Sequence, residues 1–229
     1  MNKLLILPPT EKRKQYELRA LALRDFAGVR PEEALDPFAL AEFARLLVID
    51  FNHIQGLSEE TRAHLLGAGT DEWSGGACSQ PLPNGWRLVI LNPAQGLHRN
   101  RATLMEEISH VFLGHKANRL AVAVNDDASR GSGSRRKEKN RYDPLQRDGT
   151  ETKVLARDYN KSDEEAAYAI GAAALVPYAV LRQLVFAGRA ADQIARRFRV
   201  SRQLVEYRIK VTHLWQTYKS LSASRIPNV

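Results

Sequence analysis

The residues best suited to chemistry lie in one stretch, Thr103-Leu104-Met105-Glu106-Glu107-Ile108-Ser109-His110-Val111-Phe112-Leu113-Gly114-His115. On a helix, positions four apart share a face, so Glu106 and His110 can point at one metal ion. Glu107 lies between them in sequence, where its carboxylate could take a proton from water activated at that ion. Spacing alone is a weak signal, because a carboxylate and an imidazole one turn apart are common on solvated helices.

The spacing is that of the zinc-binding H-E-x-x-H helix, with Glu106 in place of the first histidine. The flanks extend the match. The run resembles the TLxHEIxHxxLGH signature of the ImmA/IrrE family of metallopeptidases at Thr103, Leu104, Glu107, Ile108, His110, Leu113, Gly114 and His115. A second segment, Asp163 to Pro177, has the acidic start, small-residue middle and Leu-x-Pro ending of the family's later helix, which supplies the third ligand. The resemblance runs over roughly residues 35–215. It implies a zincin-type core, Glu107 as general base, and a divalent metal held by Glu106, His110 and an acid of the second helix. Zinc is the first expectation, with manganese or iron(II) as alternatives.

Two acids compete for the third position. Ser162-Asp163-Glu164-Glu165 reads as a capping box in which Ser162 is the N-cap and Glu165 reaches back to the helix end. That leaves Glu164 free to face the first helix, and counting back from Pro177 to the family's acidic ligand position also favours it over Glu165. Glu106 departs from the family pattern. Two carboxylates and one imidazole neutralise a divalent ion, which weakens it as a Lewis acid and shifts preference toward harder ions. Three outcomes stay open: a peptidase with a modified site, a structural metal site, or a site without metal. His115 falls off the metal face, which suits a supporting or helix-end role. Tyr159 and Tyr168 either stabilise an oxyanion or pack in the core.

Positioning these groups falls to the elements around them. Residues 11–27 predict a helix with apolar Leu18, Leu21, Leu23 and Phe26. Asp36 and Pro37 open another over 38–47. Residues 48–51 predict a strand. Pro83-Asn84-Gly85 predicts a hairpin pairing 76–82 with 86–92, and the latter's edge could bind an extended peptide. Helices follow over 100–115 and 164–176, separated by a flexible basic insertion at 125–150 that is rich in glycine, serine and charge. The expected fold class is therefore α+β, mostly α, with a small antiparallel sheet and a C-terminal helix-turn-helix-like module, and the resemblance implies that the helical core is zincin-like. The expected division is 1–177 and 178–229.

The charge supports that division. The chain has 229 residues and a net charge of +8. Residues 178–229 hold ten basic and two acidic side chains, so they carry the whole excess. In that tail Ile194, Ala195 and Phe198 form an inner stripe, Val200 plugs a turn, Ser201 caps the next helix, and Val205 and Ile209 continue the core. Arg196, Arg197, Arg199, Arg202, Arg208 and Lys210 would form an exposed basic surface for DNA phosphates or a partner protein. A single cysteine, Cys78, excludes an intramolecular disulfide and a Cys-rich zinc site. The apolar runs are too short for a membrane span, and the expected compartment is cytoplasmic. The resemblance implies cleavage of a protein substrate, a helix-turn-helix transcriptional repressor, in stress response or mobile-element regulation. The alternative is a non-catalytic regulatory protein, a DNA-binding or toxin–antitoxin partner that keeps the fold with an altered or lost metal site.

Overall fold

The computed structural model describes residues 5–70, 73–78, 80–115, 121–123, 153–155 and 160–223. The expected insertion at 125–150 and Tyr159 lie outside them. Residues 1–117 and 160–229 form one compact unit, and 118–159 form a second. The boundary expected at 177 thus falls inside the first unit, where one hydrophobic core includes Leu23, Leu104, Ile170, Phe198 and Ile209 alike.

In chain order the larger unit contains α1 (Glu11–Phe26), α2 (Pro37–Phe43), β1 (Leu46–Ile49), α3 (Glu59–Leu66), β2 (Gly75–Ala77), β3 (Arg87–Leu91) and α4 (Leu97–Phe112). The second unit holds β4 (Ala121–Ala123) and β5 (Lys153–Leu155), an antiparallel pair with Val122 opposite Val154. The larger unit resumes with α5 (Lys161–Leu175), α6 (Tyr178–Phe186), α7 (Ala191–Phe198), α8 (Arg202–Val211) and α9 (Trp215–Ala223). Among the described residues no single helix is long and apolar enough to cross a membrane.

The sheet is mixed, which corrects the antiparallel expectation. Its order is β1-β3-β2, with β1 parallel to β3 (Val48 opposite Val89) and β2 antiparallel to it (Gly76 opposite Ile90). Direction follows from connection length. The β2–β3 hairpin closes through Gly85 at φ 80°, with Leu82 N donating to Trp86 O at 2.7 Å. Between β1 and β3 the chain has room for α3 and β2, and a crossover of that length permits parallel pairing. Strand 87–91 is therefore central, and its edge is not open to a peptide. The helix expected to reach Leu47 stops at Phe43, because Arg45 turns left-handed (φ 54°) and redirects the chain into β1. Asp36 caps α2 as expected, accepting from Phe38 N, and Pro37 sits at its first position.

Helix α1 follows the expected apolar pattern only in part. Leu18 and Phe26 are exposed, while the core face carries Glu17, Ala20, Leu23 and Arg24. The two buried charges serve the end of α5. The last carbonyls of a helix lack intrahelical donors and carry the negative end of its dipole. Arg24 donates Nη1 to Ala174 O at 2.6 Å, and Arg208 donates Nε to Val176 O at 3.1 Å. Glu17 accepts from Arg208 Nη2 at 2.6 Å and from Tyr178 N. Arg208, expected on an exposed basic surface, is only 2% exposed. It points inward because α8 packs its Leu204, Val205, Arg208 and Ile209 face on the core.

Removing one partner of such a pair leaves an uncompensated buried charge, at a cost of about 3–5 kcal/mol. Arg208→Ala is expected to lower the melting temperature by roughly 10 °C in thermal unfolding. Arg196→Ala, at an exposed position on α7, leaves it within about 2 °C.

Candidate metal centre

The site forms where α4 packs against α5. The seam is close because α5 turns small residues toward α4. A Cβ on Gly171 would stand 3.1 Å from Met105 O and 3.2 Å from Ser109 Oγ, so only glycine fits without displacement. Ser109 is fully buried and donates Oγ to Met105 O at 2.7 Å, which keeps its hydroxyl satisfied inside the seam. On the other side of α4, Gly75 of β2 leaves no more room. A Cβ there would meet Ile90 O at 2.8 Å and Thr103 Cγ2 at 3.0 Å. Helix α4 is thus held between the sheet and α5, with its Glu106/His110 face toward the start of α5.

There Glu106, His110 and Glu164 converge, each half-buried, with one ligand atom from each lying within 4.8 Å of the others. His110 Nε2 stands 3.5 Å from Glu164 Oε2. That is about the edge of a tetrahedron with arms of ~2.1 Å, the usual length of a zinc–nitrogen or zinc–oxygen bond. The electrostatics favour a cation. Burial, then Glu107 and then Glu164, push the Glu106 carboxyl up to about 7. Burial also lowers His110, against the opposing pull of Glu164, which keeps the imidazole in the neutral form that binds metal. A divalent ion among these groups would remove the repulsion that raises Glu106.

Glu165 goes elsewhere. Asn160, not Ser162, caps α5, its side chain accepting from Ser162 N at 3.1 Å. The chain thus enters the helix two residues before the expected N-cap. Glu165 then faces α1, where it pairs with Lys12 Nζ at 2.7 Å and lies 3.8 Å from Arg13 Nη2. The Lys12 hydrogen bond holds its carboxyl below the usual range. Tyr168, one turn beyond Glu164, meets Tyr207 of α8 edge-on at 5.0 Å between ring centroids. Burial, then Tyr207 and Glu106, push its phenol up. His115 reaches back to the site, its Nδ1 lying 3.1 Å from His110 Nδ1.

The remaining basic candidates lie on α7, α8 and the turn between them. Arg196, Arg197, Arg199 and Arg202 are exposed. Arg197 donates to Glu32 O at 3.3 Å, and Arg202 is ion-paired with Glu206 at 2.7 Å and Asp192 at 3.6 Å. Arg199 occupies the left-handed turn (φ 55°), and Ser201 caps α8 by accepting from Leu204 N. Ile194, Ala195, Phe198, Val200, Val205 and Ile209 are all buried, as their spacing predicts.

Residues 145–210 match the family model of the IrrE N-terminal-like domain, a peptidase family. The match covers less than a third of the chain. It includes α5 with Glu164 and continues through most of α8, while the Glu106–His110 helix lies before it. It supports a relation to the ImmA/IrrE peptidases and, with it, a divalent metal. Searches of the curated proteins and of the solved structures returned no match.

Sequence reasoning missed the Gly171 contact and the approach of Asp163 to His115. A small-residue run, Gly171-Ala172-Ala173-Ala174, was the only signal of close helix approach.

The raised Glu106 carboxyl has a consequence for stability. Its folded value lies above its ordinary 4.5, so its favourable contribution is complete below about pH 4.5 and lost as pH rises through about 7. In metal-free protein, Glu106→Gln removes that loss. The variant should match wild type near pH 4.5 and melt roughly 3–8 °C higher at pH 8, read by thermal unfolding in chelator.

Proposed function

We propose that this chain is a metallopeptidase of the ImmA/IrrE type, acting on a protein substrate through a metal held by Glu106, His110 and Glu164. The convergence of these three ligand atoms, on two helices more than fifty residues apart in sequence, carries the reading. The family match over α5 supports it independently of the α4 motif.

A divalent ion held here supplies Lewis acidity, polarising a peptide carbonyl and acidifying nearby water. Glu107 is the general base of the proposal. Its half-buried carboxylate sits beside Glu106 in sequence and bears on it electrostatically. It would take a proton from attacking water and pass it to the leaving amine. Glu106 and Glu164 each bring a negative charge, and neutral His110 brings none. This donor set neutralises a divalent ion and suits zinc, with manganese or iron(II) favoured more than at a two-histidine site.

The proposed substrate is a helix-turn-helix transcriptional repressor, with a role in stress response or mobile-element control and a cytoplasmic location. DNA contact through the tail is not part of the proposal. Arg208 is buried and Arg202 is paired with two acids, which reduces the free positive charge that phosphate binding needs.

The test combines metal analysis of purified protein with incubation alongside helix-turn-helix repressors from the same genome. One bound metal per chain and cleavage of a repressor are expected. Glu107→Gln should keep the metal and lose at least about 100-fold in cleavage rate, the range of a lost general base. Absence of metal, or cleavage untouched by Glu107→Gln, would sink the peptidase reading in favour of a non-catalytic regulator. Glu106→His, which removes one negative charge from the site, should raise zinc-dependent cleavage.

A further inference from the structure

His115 lies five residues beyond His110, roughly 140° around an ideal helix, so helical geometry alone would keep the two apart. They meet because α4 ends in a tight reversal. Gly114 adopts φ 68°, its N–H bonds to Val111 O at 3.0 Å, and His115 N bonds to His110 O at 3.0 Å. These are the paired bonds of a Schellman motif, which fold the chain back over the last turn. The returning imidazole meets His110 edge-on, with ring centroids 5.1 Å apart and Nδ1 atoms 3.1 Å apart. On its far side, His115 Nε2 faces Asp163 Oδ1 at 3.7 Å, beyond direct hydrogen-bond length but within ion-pair reach. Asp163 is the residue before Glu164, in the first turn of α5.

We infer that Asp163 and His115 are positioning residues that fix the His110 imidazole as a ligand, aligning both rings from the carboxylate to the metal centre. The inference rests on the metal-centre reading above. The proton inventory supports it. To offer its Nε2 lone pair, neutral His110 must carry its proton on Nδ1, facing His115 Nδ1. Two nitrogens 3.1 Å apart can share one proton, so His115 Nδ1 must accept and its own proton must sit on Nε2. That nitrogen is the one that lies 3.7 Å from the Asp163 carboxylate. Each group thereby selects the tautomer of the next, and Asp163 anchors the series. Outer partners of this kind orient a ligating histidine and raise its basicity, and their loss commonly weakens metal binding about 10–100-fold. Here an imidazole stands where a carboxylate or backbone carbonyl usually does, with the carboxylate one step further out.

The test measures zinc affinity by chelator competition for wild type, His115→Ala, His115→Gln, Asp163→Ala and the His115→Ala/Asp163→Ala double variant. His115→Ala should weaken zinc binding about 10–100-fold. His115→Gln, whose side-chain carbonyl can accept from His110 Nδ1–H, should recover most of that loss. Asp163→Ala should weaken binding alone and add nothing in the His115→Ala background. In the zinc-loaded wild type, histidine 15N spectra should show His110 protonated at Nδ1 and His115 at Nε2, a readout that needs no variant to fold. Affinity of His115→Ala within twofold of wild type, no recovery by His115→Gln, additive losses in the double variant, or the opposite tautomers would each overturn the relay. Wild-type protein that binds no zinc removes the metal-centre reading itself, whereas zinc binding insensitive to these variants removes the relay alone.

Discussion

The close approach of α4 to α5 is the constraint on which the rest depends. Two of the proposed ligands come from one helix and the third from another, so the distance between backbones sets whether their donor atoms converge. Gly171 against the Met105 carbonyl fixes that distance, and the alanines around it keep the seam narrow along its length. At the N-terminal end of α5 a long side chain spans the gap, where Glu164 reaches His110. The half-buried acids collect where the helices leave room for polar groups.

A second set of interactions holds the opposite end of α5. Arg24 and Arg208 bring guanidinium groups to its terminal carbonyls, and Glu17 compensates the second of them. A buried ion pair is costly to desolvate, and its value here lies in the extra bonds it makes to backbone groups that would otherwise lack partners. The helices beyond Pro177 therefore contribute to the scaffold that carries the site. The net positive charge of the tail is correspondingly less available than its count suggests.

Much of the site was legible because its signals are local. The four-residue spacing of Glu106 and His110 is a property of any helix, whereas the preference for Glu164 over Glu165 rests on the resemblance's spacing back from Pro177 and on a cap at Ser162 that does not form. The inner stripe Ile194, Ala195 and Phe198 was legible from local spacing. What escaped depended on partners distant in sequence. Arg208 reads as solvent-facing because a charge is buried only when a specific counterpart waits for it, and nothing local marks Glu17 as that counterpart. Asn160 displaced Ser162 as the cap because both residues have the chemistry for it, and only the incoming chain decides. The parallel direction of β1 leaves no mark on Leu46 to Ile49. The meeting of His110 and His115 depends on a helix-ending glycine, which reverses the geometry that spacing predicts.

The Glu17–Arg208 pair joins residues 191 apart in sequence. During synthesis, α1 leaves the ribosome long before its partner does. At the usual ~5–20 residues per second, Glu17 waits on the order of 10–40 s for Arg208 to be made. Until then the Glu17 carboxylate lacks the guanidinium that pairs with it in the finished fold. The buried pair can therefore close only once α8 has been made, so the last carbonyls of α5 gain their Arg208 donor near the end of synthesis.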